Sequence, residues 1–336
     1  MPMTALDIYK VLPQTNCGDC GVPTCLAFAM QLATKKAGID DCPHATDEAK
    51  SALAGAEAPP IRMVEVGPAA QCIVMGKETV LFRHEETFYH PTAIAVRIRT
   101  DKSEDEMRAA LERVKSLVFD RVGQYVRVEL VVIEDADGDA DRFAAAATMA
   151  NEMELGLVLM SSSPSVIEAA LPGLAGQRPL LDAATSETWE AMAAMAKTHG
   201  CPLVVRGADM DELADLTAKV AAAGVQDLVI DSGARDLAAT LRDLTHIRRL
   251  ALRRQFRPVG YPALAVVTAD DPLDQVTQAA AYISKYAAMV YIGELEPWQA
   301  LAMVTVRQNI YTDPQKPIQV EAGLLAIGTP DASSPV

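Results

Sequence analysis

The sequence lacks any apolar run that approaches the roughly 18 to 20 residues a membrane-spanning helix needs. Its amino terminus, MPMTALDIYK, lacks the basic and then apolar segments of a secretory signal. Basic residues are outnumbered, because 30 lysines and arginines stand against 45 acidic residues, for a net charge of −15. That charge disfavours nucleic acid and anionic membranes as partners. We therefore expect a cytoplasmic chain that binds neither.

Several motifs of familiar enzymes are also missing. The sequence contains no G-x-x-x-x-G-K-[ST], no G-x-S-x-G, no H-E-x-x-H and no C-x-x-x-C-x-x-C. What is present is a chain of 336 residues, of which 50% are hydrophobic and 22% charged. This length and composition exclude wholesale disorder and suit one large domain with an appendage, or two domains.

Cysteine is infrequent but unevenly placed. Four of the six cysteines lie within the first 42 residues, namely Cys17, Cys20, Cys25 and Cys42. Clustered cysteines in a cytosolic chain favour metal or redox chemistry over disulfides. One C-x-x-C, a third cysteine five residues later and a lone fourth are the spacing expected of a [4Fe–4S] cluster, with three ligands on one loop. All four are the predicted ligands.

The flanking residues fit the same prediction. Gly18 and Gly21 allow the backbone to pass close to a bulky cluster and to donate N–H groups toward its sulfurs. A helix is predicted from the third cysteine, because apolar positions recur at i, i+3, i+4 and i+7: Cys25, Phe28, Ala29 and Leu32. Pro23 suits its first turn and Gly38 its end. The helix dipole would then favour the Cys25 thiolate.

Two other uses of these cysteines stay open. Structural zinc usually shows two C-x-x-C pairs, or one such pair with two histidines, and this spacing has neither. A thiol redox centre would need only the C-x-x-C pair. The metal content of the anaerobically purified protein discriminates among the three.

The chain beyond the cysteines begins with two short regions. Residues 46–60 are rich in alanine and end in Pro59 and Pro60, which predicts a short helix and then a linker. Residues 61–90 contain strand-like runs, IRMVEV, QCIVMG and TVLFRHE. These predict a small meander or hairpin that covers one end of the following domain.

From residue 92 onward, eight apolar runs alternate with helical patterns. The runs are AIAVRI, VELVVIE, GLVLMS, PLLDAA, PLVVRG, DLVIDSG, ALAVVTA and MVYIGEL. Continuous apolar runs are typical of parallel strands that are buried on both faces. Eight strand–helix units predict an α/β fold, a (β/α)₈ TIM barrel. A doubly wound open sheet is the alternative, but it would normally carry a glycine-rich turn after its first strand, and none follows AIAVRI.

Polar residues follow the predicted strands, where the sites of such barrels gather. They are Glu134, Ser161 to Ser163, Asp182, Arg206, Asp231, Thr268 and Glu294. Asp182, Arg206 and Asp231 could form a polar floor for a ligand. The alternative is that these residues serve only as helix caps and salt bridges.

Three minor features have structural interpretations. His84 and His90 lack further metal ligands nearby, so packing or turn roles are expected. Cys72 and Cys201 lie in strand-like contexts and are predicted to be small buried hydrophobes. The run from 246 to 257, HIRRLALRRQFR, is a basic patch on an acidic protein. It is interpreted as a solvated helix end, or else as a contact for an acidic partner.

Together, three blocks resemble a known family. They are TNCGDCGVPTCLAFA with DCPH, then KETVLFRHEETFYHP, and near the end RQNIYTDPQKPIQVEAG. They resemble the large (gamma) subunit of the corrinoid iron–sulfur protein of the acetyl-CoA synthase/decarbonylase complex, and they span almost the whole chain. The cluster motif alone is less specific.

The resemblance implies a function. Members carry a methyl group from a methyl-tetrahydropterin, through a methyltransferase, to acetyl-CoA synthase, and pair with a small subunit. Their [4Fe–4S] cluster supplies the electron that returns oxidised cobalt(II) to cobalt(I), and here its ligands would be Cys17, Cys20, Cys25 and Cys42. Such a chain is a component of methyl transfer rather than a self-contained catalyst.

The sequence departs from the family in one respect. The family carries a carboxyl-terminal cobamide-binding domain, and this sequence contains neither that length nor the corrinoid motif D-x-H-x-x-G. We expect a cluster module over 1–58, a linker and hairpin over 59–91, the barrel over 92–325 and a tail over 326–336. Two rivals remain, which are a pterin- or folate-binding barrel methyltransferase with an accessory cluster and a plain electron-transfer module.

Overall fold

The computed structural model describes residues 5–33, 37–46, 49, 59–121 and 123–313. A small amino-terminal module contains two helices, α1 (Ala5–Val11) and α2 (Cys25–Ala33). The two helices pack on each other around a small apolar core, because α2 turns the predicted apolar stripe inward. The predicted linker helix over 46–60 and the tail over 326–336 lie almost wholly outside the described residues.

The strands of the remaining chain form one large sheet and two hairpins. They are β1 (Val64–Val66), β2 (Ile73–Met75), β3 (Ala93–Arg99), β4 (Val118–Arg121), β5 (Gln124–Arg127), β6 (Leu130–Glu134), β7 (Gly156–Met160), β8 (Leu180–Ala184), β9 (Leu203–Arg206), β10 (Leu228–Asp231), β11 (Leu264–Val266) and β12 (Met289–Ile292). β1 pairs with β2, and β4 with β5, both antiparallel.

A helix follows each strand of the large sheet. The helices are α3 (Glu104–Ser116), α4 (Ala140–Glu152), α5 (Pro164–Ala170), α6 (Trp189–His199), α7 (Met210–Ala222), α8 (Leu237–Arg253), α9 (Pro272–Ser284) and α10 (Pro297–Tyr311). The eight strand–helix units therefore fall where the sequence predicted them.

The large sheet is a closed parallel barrel. Its eight strands pair in chain order, β3–β6–β7–β8–β9–β10 on one side and β3–β12–β11 on the other. The remaining gap is closed by a parallel bridge between Ile230 and Ala263, where the Ile230 N–H donates to the Pro262 carbonyl at 2.9 Å. The predicted (β/α)₈ barrel is confirmed, and the open doubly wound sheet is wrong.

The barrel has two cores. Alternate strand residues point outward under the helices, and the others fill the interior. Val64, Val66 and Met75 of the β1–β2 hairpin are buried in that interior core. The hairpin therefore covers one end of the barrel, as predicted.

Two predicted elements are wrong. TVLFRHE, residues 79–85, forms no strand, because the Glu85 carboxylate accepts the backbone N–H groups of Leu81 and Phe82 and holds the segment in a turn. The run SEDEMRAALERVKSLVF, residues 103–119, predicts one helix, but that helix, α3, ends at Ser116. Val118 follows it and opens the β4–β5 hairpin, because the alternating VFDR run favours a strand there.

The sequence predicts caps at Asp209, at Asp270 or Asp271, and at Ser186, and two of the three are confirmed. Asp209 and Asp271 each accept two N–H groups from the first turns of α7 and α9. Ser186 does not cap α6, because Thr188 occupies that position and its hydroxyl accepts the Thr185 N–H instead. Within the described residues no helix has the length and apolar character needed to cross a bilayer.

Candidate functional site

The amino-terminal module holds three of its cysteines around one core. Cys25 and Cys42 are buried, and Cys20 is half-buried and packs against the same apolar cluster as they do. Phe28 belongs to that cluster and is only 1% exposed. The fold thus brings together cysteines that are up to 22 positions apart in the sequence. Cys17 is exposed.

The third cysteine is held at the start of α2. Its backbone N–H donates to Asn16 Oδ1 at 2.8 Å, and its Sγ accepts the Asn16 backbone N–H at 3.4 Å. Thr24 Oγ1 accepts the Ala27 N–H and caps the helix. Pro23 therefore precedes α2 instead of standing in its first turn. Gly38, with φ −99°, caps the short 3₁₀ turn that leads to Cys42, so its predicted role as a left-handed helix end is wrong.

The glycines around Cys20 have a different role from the one expected. Gly18 and Gly21 both have φ near +81°, a conformation that glycine adopts easily. The Gly21 N–H donates to the Gly18 carbonyl at 3.0 Å, so it closes a turn and does not face a sulfur. The described N–H to a cysteine sulfur comes from Asn16. Sequence reasoning missed Asn16 because its role depends on the fold of the loop.

A polar pair connects the two cysteine segments. His44 Nε2 lies 2.7 Å from Asp19 Oδ2, and this pair lies with Cys17 Sγ inside a 4.8 Å group. The hydrogen bond from His44, then that from Cys17, lowers the pKa of Asp19. Asp19 lies between the first two cysteines and His44 follows the fourth, so the pair ties the loops together. Apart from the residues of DCPH, no pattern in the sequence indicated this pair.

The donor set of this module suits an iron–sulfur cluster. Four cysteines that form no disulfide, a buried apolar wall and a backbone N–H on a cysteine sulfur are features of such sites. Cys17, Asp19 and His44 could also bind a small cation, but all three are exposed. That group leaves the buried Cys25 and Cys42 unused, so it explains less of the module.

In the barrel, charged side chains from β8, β9 and β10 form the last inward-facing layer, at the carboxyl ends of the strands. Arg206 bridges two buried carboxylates, with Nη2 2.6 Å from Asp182 Oδ1 and Nε 2.9 Å from Asp231 Oδ2. Arg235 also pairs with Asp231, at 2.7 Å. The structure therefore brings together the three residues predicted to form a polar floor. These residues are joined by ion pairs, which are the contacts that the alternative interpretation predicted.

The two carboxylates of this network differ in acidity. Burial raises the pKa of Asp182, and the positive charge of Arg206 offsets only part of that effect. Burial would also raise the pKa of Asp231, but the hydrogen bonds and charge of Arg235 and the charge of Arg206 lower it below its ordinary value. Asp231 is thus the firmly ionised member of the pair.

Asp182 Oδ2 and the Tyr291 hydroxyl, both buried, lie near each other in this layer and have no other hydrogen-bond partner among the described residues. Burial, and then the charge of Asp182 and a hydrogen bond to it, raise the pKa of Tyr291 well above its ordinary value. Tyr291 was missed because in MVYIGEL it looks like one more apolar strand residue. Only closure of the barrel places it opposite Asp182.

The other predicted residues of the barrel mouth make separate contacts. Glu134 pairs with Arg97, Ser161 donates to Asp135, Ser163 contacts Ser165, Thr268 donates to the Arg235 carbonyl, and Glu294 pairs with Lys102 and Arg113. Ser162 has no described contact of this kind. Salt bridges account for Glu134 and Glu294, as the alternative predicted, whereas Ser163, which precedes α5, makes no side-chain capping bond.

The remaining candidates are structural. His84 stacks on Phe82 with ring centroids 5.6 Å apart. His90 lines a small internal cavity, and burial there, followed by the charge of Lys77, lowers its pKa. Cys201 is buried as predicted, whereas Cys72 is only partly buried, because it lies between the two strands of the β1–β2 hairpin and not in a barrel strand.

Comparison with known proteins identifies the family. Residues 63–336 match a family model described as the CO dehydrogenase/acetyl-CoA synthase delta subunit, and residues 12–44 match a family model for an Fe–S cluster. The second match covers the module that holds the four cysteines. The chain therefore carries an iron–sulfur motif in front of its barrel.

Relatives that align with the whole chain indicate the same family. The chain is 48% identical to the corrinoid/iron–sulfur protein large subunit of Moorella thermoacetica, covering 100% of the chain and 76% of that protein. It is 33% identical to the acetyl-CoA decarbonylase/synthase complex subunit gamma of Methanothermobacter thermautotrophicus, with coverage of 100% and 76%. In fold, it resembles the dihydropteroate synthase of Thermus thermophilus, with a TM-score of 0.50 and 17% identity over 69% of the chain and 98% of that enzyme. The chain thus belongs to the family of corrinoid/iron–sulfur protein large subunits and acetyl-CoA decarbonylase/synthase gamma subunits.

Proposed function

We propose that this chain is the cluster-bearing subunit of a corrinoid iron–sulfur methyl carrier. In this role it takes part in the transfer of a methyl group from a methyl-tetrahydropterin or methyl-tetrahydrofolate to acetyl-CoA synthase. The observation that carries the proposal is the gathering of four cysteines in one small module, in a chain whose relatives are corrinoid/iron–sulfur subunits. The chain would be a component of the reaction and not a self-contained catalyst.

Cys17, Cys20, Cys25 and Cys42 would be the ligands of a [4Fe–4S] cluster. When bound, this group would supply the low-potential electron that returns oxidised cobalt(II) to cobalt(I). The chain's own residues shape the setting for that electron. Phe28 and Leu32 exclude water from the inner side, and the Asn16 N–H lies on the Cys25 sulfur. Because Cys17 is exposed, an electron would have only a short distance to travel from the cluster to a partner protein.

The barrel would serve as a rigid body for assembly. We propose as partners the small subunit of the corrinoid iron–sulfur protein, the methyltransferase and acetyl-CoA synthase. The cobamide would be bound outside the residues described, since no D-x-H-x-x-G motif occurs in the sequence. We also propose a cytoplasmic location, because cysteines clustered for metal binding are typical of reducing compartments. The domain limits at residues 58, 91 and 325 remain predictions.

The cluster assignment is tested by metal analysis of anaerobically purified protein. Four iron and four sulfide per chain are expected, with visible absorption that bleaches on reduction. Cys25→Ser and Cys42→Ser should lose most of the iron. Cys72→Ser is the matched control and should keep it, because Cys72 lies on the hairpin of the barrel. Stoichiometric zinc without iron would overturn the cluster.

The electron role needs a separate experiment. The chain, loaded with cluster and reduced, is mixed with a cobalt(II) corrinoid subunit of the family, and the cobalt(I) spectrum is followed in a stopped-flow instrument. Wild type should produce cobalt(I), and Cys25→Ser should not. If the cluster reduces normally but no cobalt(I) forms and no corrinoid subunit co-purifies, the chain is a plain electron-transfer module instead.

A second candidate is a barrel that itself binds a pterin or folate. It is favoured by one observation, the buried Asp182, which the partly exposed Arg206 contacts and whose Oδ2 has no partner among the described residues other than the Tyr291 hydroxyl. Calorimetric titration with methyl-tetrahydrofolate tests it, using Asp182→Asn and, as a control at an exposed ion pair, Asp101→Asn. Tight binding that only Asp182→Asn abolishes would favour this candidate. Absence of binding by the wild type would exclude it.

A further inference from the structure

Three side chains that can bind metals meet on the surface of the amino-terminal module. They are the Cys17 thiol, the Asp19 carboxylate and the His44 imidazole, and one ligand atom of each lies within 4.8 Å of the other two. Across the described part of the chain, no other group of three or more cysteine, histidine and acidic side chains is this close together. We call these three residues the surface trio.

The distances within the surface trio suit a single ion. His44 Nε2 lies 2.7 Å from Asp19 Oδ2, and Asp19 is within hydrogen-bonding reach of Cys17. Zinc-type ions bind sulfur at about 2.3 Å and nitrogen or oxygen at about 2.0–2.2 Å, so tetrahedral ligands lie roughly 3.3–3.8 Å apart. Ligand atoms at most 4.8 Å apart reach that spacing when exposed side chains rotate slightly. The backbone can therefore stay where it is.

The donor atoms of the surface trio select the class of ion. One thiolate, one imidazole and one carboxylate form a set of intermediate softness, which suits Zn²⁺, Fe²⁺ or Co²⁺. Mg²⁺ and Ca²⁺ prefer oxygen ligands alone, and copper(I) prefers sulfur. Three protein ligands leave the fourth position of a tetrahedral ion to water, and all three side chains are exposed to solvent.

The surface trio is also more accessible than the rest of the cysteines. The other three cysteines of the module pack against its apolar core, whereas Cys17 lies outside that core. The side chains of His44 and Asp19 are 50% and 53% exposed. A metal ion from solution therefore meets the surface trio before it meets the buried thiols. A surface ion pair would explain Asp19 and His44, but it leaves the thiol beside them unexplained.

We propose that Cys17, Asp19 and His44 form a site for one divalent transition-metal ion, of the zinc or ferrous type, in the chain that lacks its cluster. Binding replaces the proton of the Cys17 thiol with the ion, releases that proton to solvent and breaks the hydrogen bond between His44 and Asp19. The site is separate from the proposed cluster, but both need the Cys17 thiolate. An ion on the surface trio therefore competes with cluster formation, and this competition alone rests on the proposed function.

Anaerobic titration with cobalt(II) tests the site. Each thiolate bound to cobalt contributes a charge-transfer band in the near ultraviolet, so the spectrum counts the sulfur ligands. The full-length chain with Cys20→Ser, Cys25→Ser and Cys42→Ser isolates the surface trio, because Cys17 is then the one thiol left in the module. One cobalt with one thiolate ligand is expected per chain. Circular dichroism confirms that the variant is folded.

Further substitutions in that chain identify the ligands. Cys17→Ser should abolish the charge-transfer band, and His44→Ala should weaken cobalt binding at least about tenfold, because a ligand is lost. His199→Ala removes another exposed histidine, at the end of α6, and is the control that should change nothing. If the band survives Cys17→Ser, or if His44→Ala binds cobalt as tightly as His199→Ala, the site is wrong.

The complete set of four cysteines provides a second measurement. Zinc present during cluster loading should slow the uptake of iron by the wild-type chain. Asp19→Asn with His44→Ala should be several times less sensitive to zinc, because two of the three ligands are gone and all four cysteines remain. Equal sensitivity to zinc would overturn the competition.

The two metal sites can fail independently. If wild type takes up four iron but the triple serine variant binds no cobalt, the cluster stands and the surface trio is not a site. If the triple serine variant binds one cobalt but wild type takes up no iron, the surface trio stands and the proposed cluster is wrong.

Discussion

Asn16 and Cys25 bind each other through two hydrogen bonds. The Asn16 backbone N–H donates to Cys25 Sγ at 3.4 Å, and the Cys25 backbone N–H donates to Asn16 Oδ1 at 2.8 Å. Asn16 has φ +49°, a left-handed conformation that asparagine tolerates better than most residues. The residue before the first cysteine thus orients the third.

Asn16→Ala should make the cluster more labile. The variant loses the side-chain acceptor at the start of α2, a loss of about 1 kcal/mol, and places alanine in an unfavourable backbone conformation. We expect iron to be lost to a chelator several times faster than from wild type. Thr24→Ala is the control, since it removes another bond at the same helix start without touching a thiol. Equal loss rates in the two variants would contradict the role of Asn16.

Arg206→Met should destabilise the barrel strongly. The change leaves the buried Asp182 without its cation and deprives Asp231 of one of two, and breaking a buried pair typically costs about 3–5 kcal/mol. Urea unfolding measures the loss. Arg99→Met removes a solvent-exposed pair with Asp101 and should cost less than about 1 kcal/mol. Similar midpoints for the two variants would show that the buried network contributes little.

Asp231→Asn should change the dependence of stability on pH. Because its folded pKa is lowered, Asp231 stabilises the fold fully above its unfolded pKa of about 3.9, and this contribution is lost as pH falls through the folded value. The difference in the free energy of unfolding between wild type and variant should therefore be large near pH 6 and small toward about pH 3. Asp215→Asn, at an exposed position on α7, should leave a gap that stays small. A constant gap for Asp231→Asn would contradict the assignment.

The rate of cysteine alkylation should be lower for the more deeply buried thiols. Burial raises the pKa of Cys201 to about 11, so at pH 8 only about one molecule in a thousand carries its reactive thiolate. In protein stripped of metal, iodoacetamide should label the exposed Cys17 first and Cys201 last, as read by mass spectrometry. Protein with its cluster should keep Cys17 protected. Labelling of Cys201 as fast as Cys17 would show that the barrel opens readily.

Much of the fold was predictable because its patterns are local. Each barrel strand is a short apolar run, and each helix has its own periodicity, so neighbouring residues suffice to place them. The wrong predictions arose where two nearby groups compete for the same backbone N–H groups or for the same capping position. The TVLFRHE run alternates like a strand, but the Glu85 side chain takes the N–H groups a neighbouring strand would need. Ser186 and Thr188 are equally good caps, and the turn at Thr185 decided between them.

The sequence by itself determined the eight strand–helix units, the four cysteines of the module and the excess of acidic over basic residues. Spacing and composition carry that information. Only the tertiary structure decided which polar groups meet. It placed Tyr291 opposite Asp182, joined Asp19 to His44, and turned Arg248 inward while Arg249 stayed outside. The reason is geometric, because closing a barrel or folding a loop brings distant residues within 3 Å or so of each other, and no periodicity records that distance.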